Sequence, residues 1–183
     1  EAAAFGLVYS TAWLGLVRRA NLSPGEIVFV TGAGGGVGSA SVQLAKAYGA
    51  RVIALARDNE RAELALSQGA DHAITSAPEG LKSELMKITD GEGVDITIEN
   101  LGGDYLTQVI RSTAWEGRIV VVGFASGSQN PIKPGHLLVK NISVVGLQSS
   151  DYRDRNPDLM RSSMEEMLEL FKEGKLDPQV DKV

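Results

Sequence analysis

The chain has 183 residues, 43% of them apolar and 22% charged, which suits one folded core and excludes a disordered polymer. Its 18 basic and 23 acidic side chains leave a net charge of −5, so no cationic excess is available to neutralise nucleic-acid or membrane-surface phosphates. Cysteine is absent and only His72 and His136 occur, which rules out disulfides and thiol chemistry and argues against a bound metal, because a zinc centre takes about three protein ligands. No apolar run reaches membrane-spanning length and no basic leader precedes the first apolar stretch, so a cytoplasmic protein is expected.

Ala2 to Ala20 reads as a leading helix, closed by a Pro24-Gly25 turn. "IVFVT" (27–31) is a continuous β-branched run, the pattern of a strand buried on both faces. A glycine-rich loop follows, then a helix from Val37 to Tyr48 with Val37, Ala40, Leu44 and Ala47 on one face. "RVIALA" (51–56) is a second strand; Asp58 caps a helix that runs to Gln68, and "HAIT" (72–75) is a third strand. A helix over Leu81–Thr89, a turn at 90–93 and the strand "VDITIE" (94–99) repeat the rhythm. So do a helix over Asp104–Ala114, the strand "RIVVVG" (118–123), a loop over 125–135 and the strand "ISVVGL" (142–147). A last helix spans Pro157–Glu173 with Asn156 as its N-cap. Six short apolar strands alternating with helices predict an α/β fold: a Rossmann-type doubly wound parallel sheet of six strands with helices on both faces.

The loop "TGAGGGVGSA" (31–40) allows two fingerprints. Thr31-Gly32-x-x-x-Gly36-x-Gly38 is the short-chain dehydrogenase spacing, whose chemistry needs Tyr-x-x-x-Lys. The residues four places after Tyr9, Tyr48, Tyr105 and Tyr152 are Trp13, Val52, Val109 and Asn156, and none is lysine. That reading fails, and the Thr31-Gly32 match is taken as coincidental. The other is Ala33-x-Gly35-x-x-Gly38, a dinucleotide loop whose first glycine is alanine. Without Cβ atoms such a backbone can approach a pyrophosphate, and Gly34, Gly36 and Val37 at the helix start offer N–H donors to it.

Residues 1 to about 176 resemble the cofactor domain of medium-chain dehydrogenases/reductases, in the zinc-independent quinone oxidoreductase (zeta-crystallin-like) branch. The loop with its flanking strands carries the likeness, together with "GEGVDITIENLGGDYL", "GRIVVVGFASG" and "LLVKNISVVGL" in that order. Two positions depart from the pattern: Glu99 replaces the usual aspartate, and Ser76 replaces a tyrosine that many members place near the adenosine. The resemblance implies nicotinamide-side contacts at Thr11, Asn100, Gly123 and Phe124. It also implies a GroES-like catalytic domain before this region and a C-terminal segment that returns to it; residues 1–183 contain neither and are expected to form one NADP-binding domain. No catalytic residue is assignable within them.

Strand two ends Leu55-Ala56-Arg57-Asp58. An NAD enzyme places a carboxylate there to grip the ribose 2′-hydroxyl. Ala56 occupies that position and Arg57 follows, and a guanidinium can bind a 2′-phosphate in bidentate fashion. Arg61 matches a family position that contacts the same phosphate. NADPH is therefore favoured over NADH. The implied activity is hydride transfer to a quinone or an activated C=C bond. Two alternatives stay open: an alkenal/prostaglandin-type double-bond reductase, and a non-catalytic NADPH-binding sensor or structural protein. Strand six should form a sheet edge, and family members pair that edge across a dimer, so a homodimer through Ile142–Leu147 is expected. Trp13, Trp115 and the stripe Met160, Met164, Met167, Leu168, Phe171 read as packing residues.

Overall fold

The computed structural model describes residues 2–179. Its sheet contains β1 (Ile27–Thr31), β2 (Arg51–Leu55), β3 (His72–Ile74), β4 (Val94–Glu99), β5 (Thr113–Val121) and β6 (Ser143–Gly146). The order is β3-β2-β1-β4-β5-β6, with every pairing parallel. The helices are α1 (Ala2–Trp13), α2 (Gly36–Ala47), α3 (Asn59–Ser67), α4 (Pro78–Ile88), α5 (Gly103–Ser112), α6 (Pro134–Leu138), α7 (Asp151–Arg155) and α8 (Pro157–Lys172). This is the doubly wound α/β arrangement that the strand pattern predicts.

Strand periodicity divides the core into two layers. Val28, Val30, Val52, Ala54, Ile96 and Ile98 face one way, onto α1, α2 and α8. Phe29, Ile53, Leu55 and Ile119 face the other way, onto Leu81 and Leu85 of α4 and Leu106, Val109 and Ile110 of α5. Side chains alternate because successive Cβ atoms point to opposite faces, and both faces are covered, so β1 is apolar from Ile27 to Val30 and ends on the buried Thr31.

Several boundaries differ from the sequence reading. The leading helix widens into a π-helical stretch at Leu14–Arg19, where the Ala20 N–H reaches back to the Gly15 carbonyl (2.9 Å). A Cβ on Gly15 would lie 3.2 Å from Ile98 Cδ1, so this glycine lets the wide turn press onto the sheet. α4 begins at Pro78 rather than Leu81, because proline suits a first turn that needs no N–H. β5 starts at Thr113, not Arg118: Val94 pairs with Thr113 and Ile96 with Arg118, so residues 114–117 bulge from the ladder. Trp115 sits on that bulge and is 64% exposed, so it is not a core residue. Two short helices, α6 and α7, occupy segments that sequence left without structure. The Asn156 side chain makes no cap bond to α8, whose buried positions are Ser163 and Met167, while Leu168 and Phe171 are largely exposed.

β6 is the sheet edge, as expected. Among the described residues no helix is long and apolar enough to cross a membrane.

Candidate cofactor site

β1 pairs with β2 on one side and β4 on the other, so the connections leaving its two neighbours diverge to opposite ends of the sheet. Ligands of open α/β sheets lie outside the strand carboxyl ends at such a switch point. The loop between β1 and α2 stands there. Gly32 adopts φ +64°, a left-handed conformation that favours glycine. Ala33 is buried and its N–H donates to the Leu55 carbonyl (2.9 Å), which pins the loop root to β2. A Cβ on Gly38 would overlap the Gly32 carbonyl and stand 2.7 Å from Ala33 Cα, so the third position of the fingerprint must be glycine for the helix to close on the loop. Gly35, by contrast, meets only the Gly32 carbonyl at 3.4 Å. It is exposed and open for a ligand's approach.

α2 begins at Gly36, one residue before the expected start, so the N–H groups of Gly36, Val37 and Gly38 form its first turn and have no intrahelical acceptor. A positive dipole end and unpaired donors suit a pyrophosphate. Gly34 is held from α3. Its carbonyl accepts from Arg61 Nη1 (3.0 Å), and a Cβ on it would lie 2.8 Å from Arg61 Cδ. Asp58 caps α3 through the Arg61 N–H (2.9 Å), as predicted, and that hydrogen bond together with Arg57 and Arg61 holds its carboxyl below the usual range. Arg57 is exposed and pairs with Asp58 (3.2 Å). Ala56 is buried just after β2, at the position where an NAD enzyme carries its acid.

A cleft of about 550 Å³ brings Gly34, Gly35, Gly36 and Arg61 together with Ser39 and Gln68. Both amide atoms of Gln68 are buried and have no hydrogen-bond partner, a polar demand that a ligand or water in the cleft can meet. Sequence reasoning missed Gln68, which carries no motif.

The remaining predicted residues lie outside that cleft. Ser76 is half-buried on the β3–α4 connection, where Tyr105 of α5 sets its hydroxyl 3.4 Å from the Ser76 carbonyl. A tyrosine thus reaches this region from another element. The Asn100 side chain turns back, donating through Nδ2 to the Thr31 carbonyl (2.7 Å). Gly123 and Phe124 follow β5. Phe124 is partly exposed and packs on Gly102, whose φ of +75° and close approach to Phe124 leave no room for a side chain.

Thr11 is buried; its hydroxyl donates to the Leu7 carbonyl (2.9 Å) and shares a 3.1 Å hydrogen bond with Ser149. Both line a second cleft of about 440 Å³ with Ser150, Arg153, Met160 and Met164. No local pattern marks α7, and hence none points to Ser149, Ser150 and Arg153 beside Thr11.

Metal ligation does not fit. Among the described residues no three His, Cys, Asp or Glu side chains gather. His72 Nε2 lies 3.2 Å from Arg51 Nη2, and His136 sits far along the chain on α6.

Residues 36–173 match the family described as zinc-binding dehydrogenase. The chain belongs to this family. Its place is in the medium-chain dehydrogenase/reductase superfamily, among the quinone oxidoreductase-like members, and it carries their nicotinamide-dinucleotide-binding domain. A quinone oxidoreductase-like protein 2 homolog of Nematostella vectensis is 42% identical over 177 residues, which cover 96% of this chain and 48% of the relative. Prostaglandin reductase-3 of Mus musculus is 34% identical, over 94% of this chain and 47% of its own. Among solved structures, the CurK enoyl reductase superposes with a TM-score of 0.86 at 30% identity, over 99% of this chain and 54% of that one. The chain therefore spans about half the length of the curated relatives it matches.

Proposed function

We propose that this chain is the NADPH-binding half of an oxidoreductase that reduces a quinone or an activated carbon–carbon double bond. The observation that carries the reading is one cleft: Gly34–Gly36 and Arg61 share it, beside a buried Ala56 where an NAD enzyme would carry an acid. The names of the relatives support the acceptor class, since one is called a quinone oxidoreductase-like protein, one a prostaglandin reductase and one an enoyl reductase.

The first-turn N–H groups of α2 would hold the pyrophosphate, and Arg61, with exposed Arg57 at the rim, the 2′-phosphate. When bound, the cofactor supplies a hydride equivalent from its nicotinamide. The chain's own part is to orient that ring between the 100–103 and 122–126 connections and the Thr11–Ser149 hydroxyl pair. The cleft lined by Thr11, Arg153 and Met164 then forms one wall for the acceptor, and the other wall and the proton donor belong to the GroES-like half that the family resemblance implies. A second copy would add to the open edge of β6, burying Val144 and its neighbours in a dimer.

Isothermal titration of the chain with NADPH and NADH tests the reading. Binding of NADPH in preference to NADH is the expected result. Absence of binding by either cofactor would remove the proposal and leave the fold.

A further inference from the structure

The buried carboxylate at the end of β4, Glu99, is one of the two positions at which this sequence departs from the pattern it resembles. Glu99 is fully buried. Its Oε1 accepts from the Thr31 hydroxyl (2.8 Å) and the Leu101 N–H (3.0 Å), and its Oε2 accepts from the Gly102 N–H (2.8 Å). The Thr31 hydroxyl in turn accepts from the Asn100 N–H (2.8 Å). The Glu99 carbonyl takes the N–H groups of Val122 (2.8 Å) and Gly123 (3.3 Å), where the chain leaves β5. The next connection is stacked on the same frame: Ala125 donates to the Asn100 carbonyl and Ser126 to the Leu101 carbonyl, each at 2.9 Å. The Glu99 side chain therefore ties the end of β1 to the connection leaving β4, its backbone carbonyl holds the end of β5, and Thr31 is the residue from which the glycine loop departs.

We infer that Glu99 is a positioning residue: through Thr31 and the 101–102 backbone it fixes the nicotinamide-side connections in register with the glycine loop. The inference rests on the dinucleotide reading. The two sides of the network are not held equally. The loop root keeps its sheet pairing and the Ala33–Leu55 bond without Glu99. Among the described residues the Leu101 and Gly102 N–H groups donate to Glu99 alone, and Gly102 and Gly103 beside them carry positive φ values of +75° and +56°. Loss of Glu99 should consequently free the nicotinamide side and leave the adenosine side in place.

The test compares two probes on the chain: NADPH, which spans both sides, and 2′,5′-ADP, which lacks the nicotinamide half. Glu99→Gln keeps the shape but turns a donor toward donors. It should weaken NADPH about tenfold while 2′,5′-ADP changes less than twofold, the loss expected when a buried donor is orphaned. Glu99→Asp, which restores the carboxylate its family usually carries, should recover NADPH binding to within about threefold. Thr31→Val removes one arm at constant volume, tests the same ratio should Glu99→Gln not fold, and should shift it in the same direction. Equal weakening of both probes, or no change in either, overturns the positioning role. Failure of the unsubstituted chain to bind either probe removes the dinucleotide reading and the inference with it. Amide exchange distinguishes the two failures without any ligand: faster exchange at 100–102 in Thr31→Val, with the rest of the sheet unchanged, supports the latch, and unchanged exchange there overturns it.

Discussion

Replacing Arg61 with alanine separates the two cofactors. The side chain has two roles. Its methylenes lie over Gly34, and its guanidinium donates to the Gly34 carbonyl at 3.0 Å. The packing acts on any dinucleotide, whereas the charge acts only on one with a 2′-phosphate. The guanidinium is charged whichever acceptor it meets, so what separates the two cofactors is the stronger bond it makes to a charged phosphate than to a neutral carbonyl, a gain of about 0.5–2 kcal/mol. That gain corresponds to a factor of roughly 2 to 30 in Kd. Arg57 is 85% exposed at its side chain and shares its charge with Asp58, so it adds at most about 1 kcal/mol more. Titration calorimetry of Arg61→Ala should therefore show the NADPH-to-NADH preference falling about tenfold, and the further Arg57→Ala change should lower it by less than about fivefold again. The ratio is the readout, because lost packing cancels from it. Equal losses for NADPH and NADH would refute the assignment of Arg61 to a phosphate.

Gly34→Ala and Gly38→Ala should differ in kind. The first Cβ meets the Arg61 side chain from its root outward (Cβ at 2.9 Å, Cδ at 2.8 Å), so the arginine must shift and NADPH preference should drop along with some loss of melting temperature; the second meets backbone and should destabilise the chain by about 1–3 kcal/mol in urea titrations. Burial, with the charge of Asp177, raises the Tyr9 hydroxyl from 10.0 to about 12, so the unfolded chain gives up that proton first. Stability from Tyr9 is full below pH 10 and falls as pH rises toward 12, by at most about 1.4 kcal/mol per pH unit; Tyr9→Phe should flatten that limb in denaturation curves across this range. Desolvation raises the Glu26 carboxyl, but the Arg118 pair (2.8 and 2.9 Å) and the Ser23 N–H outweigh it and leave the group below 4.5. Its contribution is present above pH 4.5 and lost as pH falls through the lower folded value, so Glu26→Gln should be less stable at pH 7 than the unsubstituted chain and approach it in acid.

The fold was legible because it is written in short-range patterns. β1 is a β-branched apolar run up to Thr31, β4 alternates Val94, Ile96 and Ile98 with polar residues, the glycine loop announces the turn between β1 and α2, and Asp58 sits where a cap belongs. What failed was structure set by distant partners. The bulge at 114–117 exists because β5 must pair with both Val94 and Ile96 of β4, and nothing local to Trp115 says so. α7 is five residues of mixed charge whose place follows from packing beside α8, not from an apolar stripe.

The site divides along the same line. Residues proposed to act through their own backbone, Gly34 to Gly38, could be named from spacing alone. Residues that act through contacts could not, and Thr31 shows why. Its match to a short-chain fingerprint brings none of that chemistry, because no tyrosine is followed four places on by lysine. Yet the pair Thr31-Gly32 is not idle. Gly32 supplies the left-handed turn, and the Thr31 hydroxyl is hydrogen-bonded both to Glu99 and to the Asn100 N–H, 68 and 69 residues away. Two superfamilies can share a threonine and a glycine at this point for one physical reason: any chain leaving a central parallel strand into a phosphate loop has to turn sharply there and satisfy the polar groups it exposes on the neighbouring strand.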